Sequence, residues 1–469
     1  MRHIIGWLRK QYLSNTDNKV SGWVKEQRYP KLIEKVIKNE GVLYTIDRKQ
    51  YKKAYLFSAT GMKSLDEKIN CKKVKVLEAG WLYVFTTTKT GKKLSSFLLV
   101  EKFLVLLKKL LKLILKGNRF YESIVLIDRI ESAGDNAEYL FRYLIKNGRN
   151  SFFVIKKEAP DYERLKKEFG RRIVEYDPLL WYLISFLAKK VLSSNMTGTI
   201  TLSTIRNRFP NLNIAEFIFL QHGVIKDYLP SINRCFVNSI ICSCERERQS
   251  LLGNNYLFVC QEILKSGLPR FDFYNKVDNK SSAQSSIIIM PTWRLTEVGA
   301  YIPGTNSRAY VQNFKTGKFY KSWSQAIKLV KKKFKSRKLY FILHPMLEGQ
   351  RPDFEELEIN LLRANEIVDI LPTAKLFLTD YSSVAMDAAM LGAQVIYFQF
   401  DQGLINSTHT YKKGYFDYVE DGFGPVATTL SELKKVLEDG KSGDKYFARA
   451  SIFFEKKYSA CEKICKELL

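Results

Sequence analysis

Leu376-Phe377-Leu378-Thr379-Asp380-Tyr381-Ser382-Ser383-Val384-Ala385-Met386-Asp387 is the stretch that decides the fold. An apolar strand stops in a polar turn with two adjacent serines, and a helix of small residues starts there and continues through Ala388, Ala389, Met390, Leu391 and Gly392. A second apolar strand follows at 394–400. The run reads as strand, turn, helix, strand, with hydroxyls and unpaired backbone amides at the helix start, where the dipole is positive. At the carboxyl edge of a parallel sheet such a turn is a seat for a phosphate.

Outward from this unit the alternation continues in both directions. Upstream in the same half, strands are expected at 287–290 and 339–343, with a helix at 323–334 between them. Residues 272–286 are polar and read as a junction. Before it, strands are expected at 123–128, 151–155, 190–194, 216–221 and 239–243, and helices at 137–147, 161–169, 179–189 and 245–252. Strands alternating with helices imply parallel sheets. The expected organisation is α/β: a domain over 121–275, a second over 286–440, a cleft between the two Rossmann-like halves, and closing helices over 441–469. The first 120 residues carry only a possible helix at 29–40 and strands near 53–58 and 74–87.

The 469 residues carry 76 Lys and Arg against 48 Asp and Glu, a formal charge of +28. Such an excess calls for an anionic partner: nucleic acid, anionic lipid or a polyanionic substrate. Hydrophobic residues make up 46%, enough for sizeable cores and against global disorder. Seven scattered cysteines without a Cys-x-x-Cys pair, and four histidines, give no zinc-site spacing and fit a reducing cytoplasm, so no metal and no cofactor are expected. No signal-peptide core and no uncharged bilayer-spanning stretch is present. The segment 98–116 is nearly all Leu and Ile, with Lys108, Lys112 and Lys116 at helical spacing and Lys109 beside them. It reads either as a core helix with a solvated lysine stripe or as a helix lying in a membrane interface.

Two of the four histidines directly follow apolar strands, one in each expected domain: Gln221-His222-Gly223 and Leu343-His344-Pro345. Strand carboxyl ends are where open α/β sheets bind ligands. Facing each other, His222 and His344 could serve as a general base and a phosphate contact, whereas alone each is equally a structural imidazole. Thr292 and Arg294, after Pro291, offer a hydroxyl and a guanidinium to an anion. Arg270 lies in a turn at the domain junction. Ser382 and Ser383 are N-cap candidates as well as phosphate ligands. Asp387, a turn further on, could accept from a ribose or polyol hydroxyl. Asp380 and Asp401 also end strands.

Together these stretches resemble the CDP-glycerol glycerophosphotransferase family, which builds teichoic acids and related capsule polymers. Gly134-Asp135-Asn136-Ala137-Glu138-Tyr139 is similar to its Asp-Asn-Pro-aromatic helix start, Gln221-His222-Gly223 to Trp-His-Gly-Thr, and Gly267 to Asp272 to Gly-x-Pro-Arg-x-Asp. Pro291 to Arg294 reproduces Pro-Thr-Trp-Arg, His344-Pro345 its His-Pro, and Thr379 to Asp387 resembles Thr-Asp-Tyr-Ser-Ser-Val-x-Phe-Asp. Tyr411 to Val426 resembles the closing segment. Gln221 stands for Trp, Val224-Ile225 for Thr-Pro, and Ala385-Met386 for a Tyr-Phe-like pair.

The resemblance implies a GT-B-like fold, a peripheral place on the cytoplasmic membrane face, and transfer of a polyol phosphate from a CDP-polyol to a lipid-linked acceptor, with CMP released. The polyol, glycerol or ribitol, stays open. By the same resemblance His222 is the base on the acceptor hydroxyl and His344 contacts the donor pyrophosphate. Ser382 and Ser383 hold its phosphates, and Asp387 holds a hydroxyl. Gly223, Arg270, Thr292, Trp293, Arg294 and Leu343 complete the substrate-binding set. A GT-B glycosyltransferase using a nucleotide sugar is the alternative within the fold. A basic nucleic-acid-binding protein is the alternative from charge alone, though no recognition motif accompanies the lysines.

Overall fold

The computed structural model describes most of residues 103–469 and four short strands between 55 and 85. It leaves out stretches within 203–213, 230–236, 254–261, 275–284, 303–307, 405–411, 441–442 and 456–457. The helix expected at 29–40, and His3 and His409, lie outside the described residues. Strands β1 (Tyr55–Ser58) and β2 (Gly61–Ser64) pair antiparallel, as do β3 (Cys71–Val76) and β4 (Gly80–Phe85). The single strand expected at 74–87 is therefore divided between β3 and β4. Helix α1 occupies 103–114.

The first parallel sheet contains β5 (Ile124–Ile127), β6 (Ser151–Ile155), β7 (Ile173–Glu175), β8 (Lys190–Ser193), β9 (Glu216–Phe219), β10 (Ser239–Cys242) and β11 (Ile263–Lys265) in the order β11-β10-β9-β8-β5-β6-β7. Helices α2 (Asn136–Lys146), α3 (Tyr162–Phe169), α4 (Pro178–Leu187), α5 (Glu245–Leu252) and α6 (Pro269–Tyr274) connect and cover it. The second sheet contains β12 (Ser286–Met290), β13 (Leu339–Leu343), β14 (Asn360–Arg363), β15 (Ala374–Thr379), β16 (Gln394–Phe398) and β17 (Val426–Ala427), ordered β14-β13-β12-β15-β16-β17. Helix α7 (Lys318–Lys333) links β12 to β13, α8 (Val384–Met390) links β15 to β16, and α9 (Leu430–Asp439) follows β17. Both orders reverse beside the first strand, as in doubly wound dinucleotide-binding folds. Runs such as Ser151–Ile155 and Ser286–Met290 are buried at every position because helices cover both sheet faces.

Register places the site. Ile127 pairs with Ser193, so Asp128 and Ser194 leave the first sheet side by side. Met290 pairs with Thr379, so Pro291-Thr292 and Asp380-Tyr381 leave the second sheet side by side. These are the two switch points, where open sheets part to admit a ligand.

One apolar core runs through both halves, with Phe141 and Leu268 from the first and Phe377 and Met386 from the second, while two further cores fill the outer faces. The chain end closes the junction. Helix α10 (Asp444–Phe453) lies by α8, and α11 (Ala460–Leu468) returns to pack on α2 and α6. Asp272 accepts from the Ala460 and Cys461 amides at 2.7 and 2.8 Å, a carboxylate at the opening of α11. The closing helices expected over 441–469 are thus two, each serving a different half.

Candidate functional site

A cavity of about 530 Å³ opens between the halves. His222 and Gly223 line it from the first domain, and Thr292, His344, Ser382 and Ser383 from the second. Arg270 and Asp387 lie in its floor. Both sequence-selected histidines therefore face one space. Gly223 permits this approach, because a Cβ there would lie 2.5 Å from Ser383 Oγ across the junction.

His222 sits on a constrained turn. Gln221 before it is held at φ 58°, a left-handed conformation that few side-chain-bearing residues adopt. The buried amide of Gln221 donates to the Ile241 carbonyl. Asn136 Nδ2 donates to the Gln221 carbonyl at 2.8 Å, and Arg270 Nη1 to the His222 carbonyl at 3.0 Å. The His222 ring is open to the cleft yet surrounded by protein. Desolvation first, then the charges of Arg129 and Arg270, push its pKa below the ordinary imidazole range. The imidazole is neutral at physiological pH, the form a base must have.

His344 follows β13, and its Nδ1 accepts from the Met346 amide at 3.1 Å. A neutral ring so held carries its proton on Nε2 and acts as a donor. Trp293 packs beside it, ring centroids 6.1 Å apart. The Thr292 amide donates to Asp380 at 2.8 Å, while the buried Thr292 hydroxyl, which has no partner among the described residues, lies at the cavity. A buried unpaired hydroxyl is costly unless a ligand completes it. Ser382 Oγ accepts from the Val384 amide at 3.2 Å, which leaves its own proton to donate. Helix α8 is only two turns long, so an anion at its start would meet hydroxyls and local amides more than a macrodipole.

The expected roles of several residues change. Arg294 does not reach the cavity: its guanidinium is buried between Asp401 (2.7 and 3.0 Å) and Asp380 (2.9 Å) and bonds the Thr292 carbonyl. It braces the turn that carries Thr292. Trp293 and Leu343 lie behind the wall, Leu343 fully buried in the β13 core. Asp387 is engaged by Arg270, Nε to Oδ1 at 2.6 Å and Nη2 to Oδ2 at 3.0 Å. Arg270 also bonds Asp135 at 3.0 Å. This buried pair joins α6 of the first half to α8 of the second, so Asp387 is a partner for Arg270 before it is one for a ligand hydroxyl.

Sequence reasoning passed over three features. Asp128, at the end of β5, accepts from the Asp135 and Ala137 amides at 2.9 and 2.8 Å and from Ser194 at 2.5 Å; burial and then Asp135 push its pKa up to about 8. The signal was available: Asp128 follows its apolar strand just as Asp380 follows β15. Arg129 lines the cavity beside it. Glu247, fully buried on α5, accepts from the Ser243 amide and hydroxyl at 2.6 and 2.7 Å and from the Ile225 amide at 2.8 Å. Burial pushes its pKa up. Ile225 stands where the resembling motif has proline, which has no N–H to give. The departure noted in the sequence thus supplies a tether for the His222 loop.

A sequence profile of CDP-glycerol:poly(glycerophosphate) glycerophosphotransferases matches residues 121–463. The chain belongs to this family. It is 31% identical over 351 residues to the minor teichoic acid biosynthesis protein GgaB of Bacillus subtilis (strain 168), a match covering 70% of the chain and 37% of GgaB. The chain thus spans little more than a third of that relative. The wall teichoic acid polymerase TagF, solved as a histidine-to-alanine variant, has a TM-score of 0.53 at 15% identity over 78% of this chain and 97% of its own. A histidine-to-asparagine variant of TagF soaked with CDPG gives 0.52 at 16%, over 78% and 97%. The likeness to TagF shows the fold of this chain: two parallel-sheet α/β domains in a GT-B-like arrangement.

Proposed function

We propose that the chain transfers a polyol phosphate from a CDP-polyol, glycerol or ribitol, to a hydroxyl of a membrane-linked acceptor, releasing CMP, in teichoic acid or capsule polymer synthesis. The observation that carries this is the meeting of His222 and His344, from different halves, on one cavity with Thr292, Ser382 and Ser383. The acceptor hydroxyl attacks the β-phosphorus of the donor. The new O–P bond forms as the bond to CMP breaks, and His222 takes the hydroxyl proton. His344 Nε2–H, the Thr292 hydroxyl and the serine hydroxyls donate to phosphate oxygens, where charge shifts during transfer. The Arg270–Asp387 pair holds the halves in register, and Arg294 holds the Thr292 turn.

Helix α1 supports a place on the cytoplasmic face of the membrane. Leu113 and Ile114 are 71% and 75% exposed, and Phe103, Leu106 and Leu110 are also open to solvent. An apolar face flanked by lysines suits the headgroup boundary of an anionic bilayer. No described helix is long and apolar enough to cross a membrane.

The test is to incubate the purified chain with CDP-glycerol, CDP-ribitol and nucleotide sugars beside a lipid-linked acceptor. CMP release with a CDP-polyol is expected; nucleoside diphosphate release with a nucleotide sugar would instead mark a glycosyltransferase. His222→Ala is expected to lower turnover by about 10²- to 10⁴-fold, the usual worth of a base, with donor affinity within a few fold. Near-normal turnover in that variant would remove the base assignment.

A further inference from the structure

Most charged side chains lining the cavity are paired, and Asp128 takes amide and hydroxyl hydrogen bonds instead. Glu131 meets Lys156 at 3.4 Å, Asp227 meets Lys226, Glu348 meets Arg351 at 2.9 Å, and Asp135 and Asp387 share Arg270. Two cavity-lining guanidinium groups, Arg129 and Arg363, have no ion-pair partner among the described residues. They belong to opposite walls. Arg363 ends β14 of the second half, and Arg129 follows β5 of the first, the half that supplies His222. Arg129 lies near enough to Asp135 to favour its carboxylate, and that carboxylate is already bonded to Arg270.

We propose that Arg129 binds the last phosphodiester of the acceptor, so that the chain prefers an acceptor already ending in a polyol phosphate over one ending in a neutral saccharide. This rests on the transfer reading above. The neutral donors proposed for the donor phosphates, His344, Thr292 and the two serines, all stand on the second wall. The acceptor hydroxyl must approach His222 on the first wall. In a glycerol phosphate chain a three-carbon spacer separates that terminal hydroxyl from the nearest phosphodiester. The second anion therefore arrives beside the base, on the wall where Arg129 offers an uncommitted planar fork. Guanidinium forks suit phosphate oxygens. A neutral saccharide end offers this group nothing.

The test uses the full chain, its Arg129→Gln and Arg129→Lys variants, a synthetic pentamer of glycerol phosphate, CDP-glycerol, and an uncharged saccharide glycoside as second acceptor. Calorimetry is expected to show Arg129→Gln weakening the pentamer about 10- to 100-fold, in line with loss of a charge-assisted contact. Arg129→Lys should fall between, keeping the charge without the fork. CDP-glycerol affinity should change by less than about threefold, and the KM for the saccharide glycoside should not change. Unchanged pentamer affinity in Arg129→Gln, no pentamer binding by the parent chain, or loss of CDP-glycerol binding instead, would each overturn the assignment. Arg129-dependent pentamer binding without CMP release from any CDP-polyol would leave the anion site standing while the transfer reading fell.

Discussion

Replacing Asp387 distinguishes a partner of Arg270 from a ligand of the nucleotide. The carboxylate and guanidinium make two bonds, at 2.6 and 3.0 Å, with side chains 1% and 6% exposed. Breaking a pair so deeply buried costs about 3–5 kcal/mol, because the surviving charge keeps its desolvation penalty. Asp135 remains bonded to Arg270 at 3.0 Å as a second counter-charge, so the lower end, about 3 kcal/mol, is expected for Asp387→Leu. Urea unfolding of Arg270→Met, Asp387→Leu and the double variant gives the cycle. The double variant should cost about 2 kcal/mol less than the sum of the singles, since neither Arg270 nor Asp387 is left facing the other's absence, while the loss of the Asp135 contact is common to Arg270→Met and the double variant. Asp387→Asn preserves shape and supplies the kinetic arm. Arg270 donates to the His222 carbonyl, so kcat should fall with the KM for the CDP-polyol changed by only a few fold. Additivity within about 0.5 kcal/mol, or a large rise in donor KM at constant kcat, would refute the reasoning and return Asp387 to the substrate.

Further expectations concern His222, the proposed base, and its supports. His222 is held neutral by its surroundings and by Arg129 and Arg270, so kcat/KM should hold as pH falls through 6.5 and decline only at lower pH. Bound donor phosphates partly offset those cations and raise the His222 pKa, so the acid limb of kcat should lie at higher pH than that of kcat/KM; the reverse order would count against His222 as the titrating base. Glu247→Gln keeps the shape but replaces one acceptor oxygen with an NH₂ group facing donors. It should destabilise by about 1–3 kcal/mol and lower kcat more than it raises KM, an effect that Glu247→Asp should partly repair. An equal loss in all parameters would make Glu247 merely structural. In α1, Leu110→Glu with Ile114→Glu should abolish sedimentation with anionic vesicles and leave CMP release to a soluble acceptor unchanged; persistent sedimentation would place membrane contact elsewhere.

The strand ends were legible in the sequence because parallel strands covered on both faces must be continuously apolar, and such runs stop sharply at polar residues. His222, His344 and Ser382-Ser383 were selected by that stop. The edge strands Ile173–Glu175, Asn360–Arg363 and Val426–Ala427 were missed, being short and partly open to solvent, with no run long enough to read. Arg294 was misread for another reason. Its partners Asp380 and Asp401 lie 86 and 107 positions away, and no local pattern shows which way a guanidinium will turn. Glu247 left only an indirect trace, in the Ile225 that replaces a proline.

The amino-acid order alone determined that two alternating α/β series form two parallel sheets, and that a histidine stands at a strand end in each, because periodicity and run length are local properties of the chain. Tertiary structure alone decided that both histidines share one cavity, that Arg270 and Asp387 spend their charges on each other, and that Arg129 is left uncommitted. Pairing of charges depends on which strand ends the packed core brings within a few ångströms, and desolvation then sets the worth of each pair.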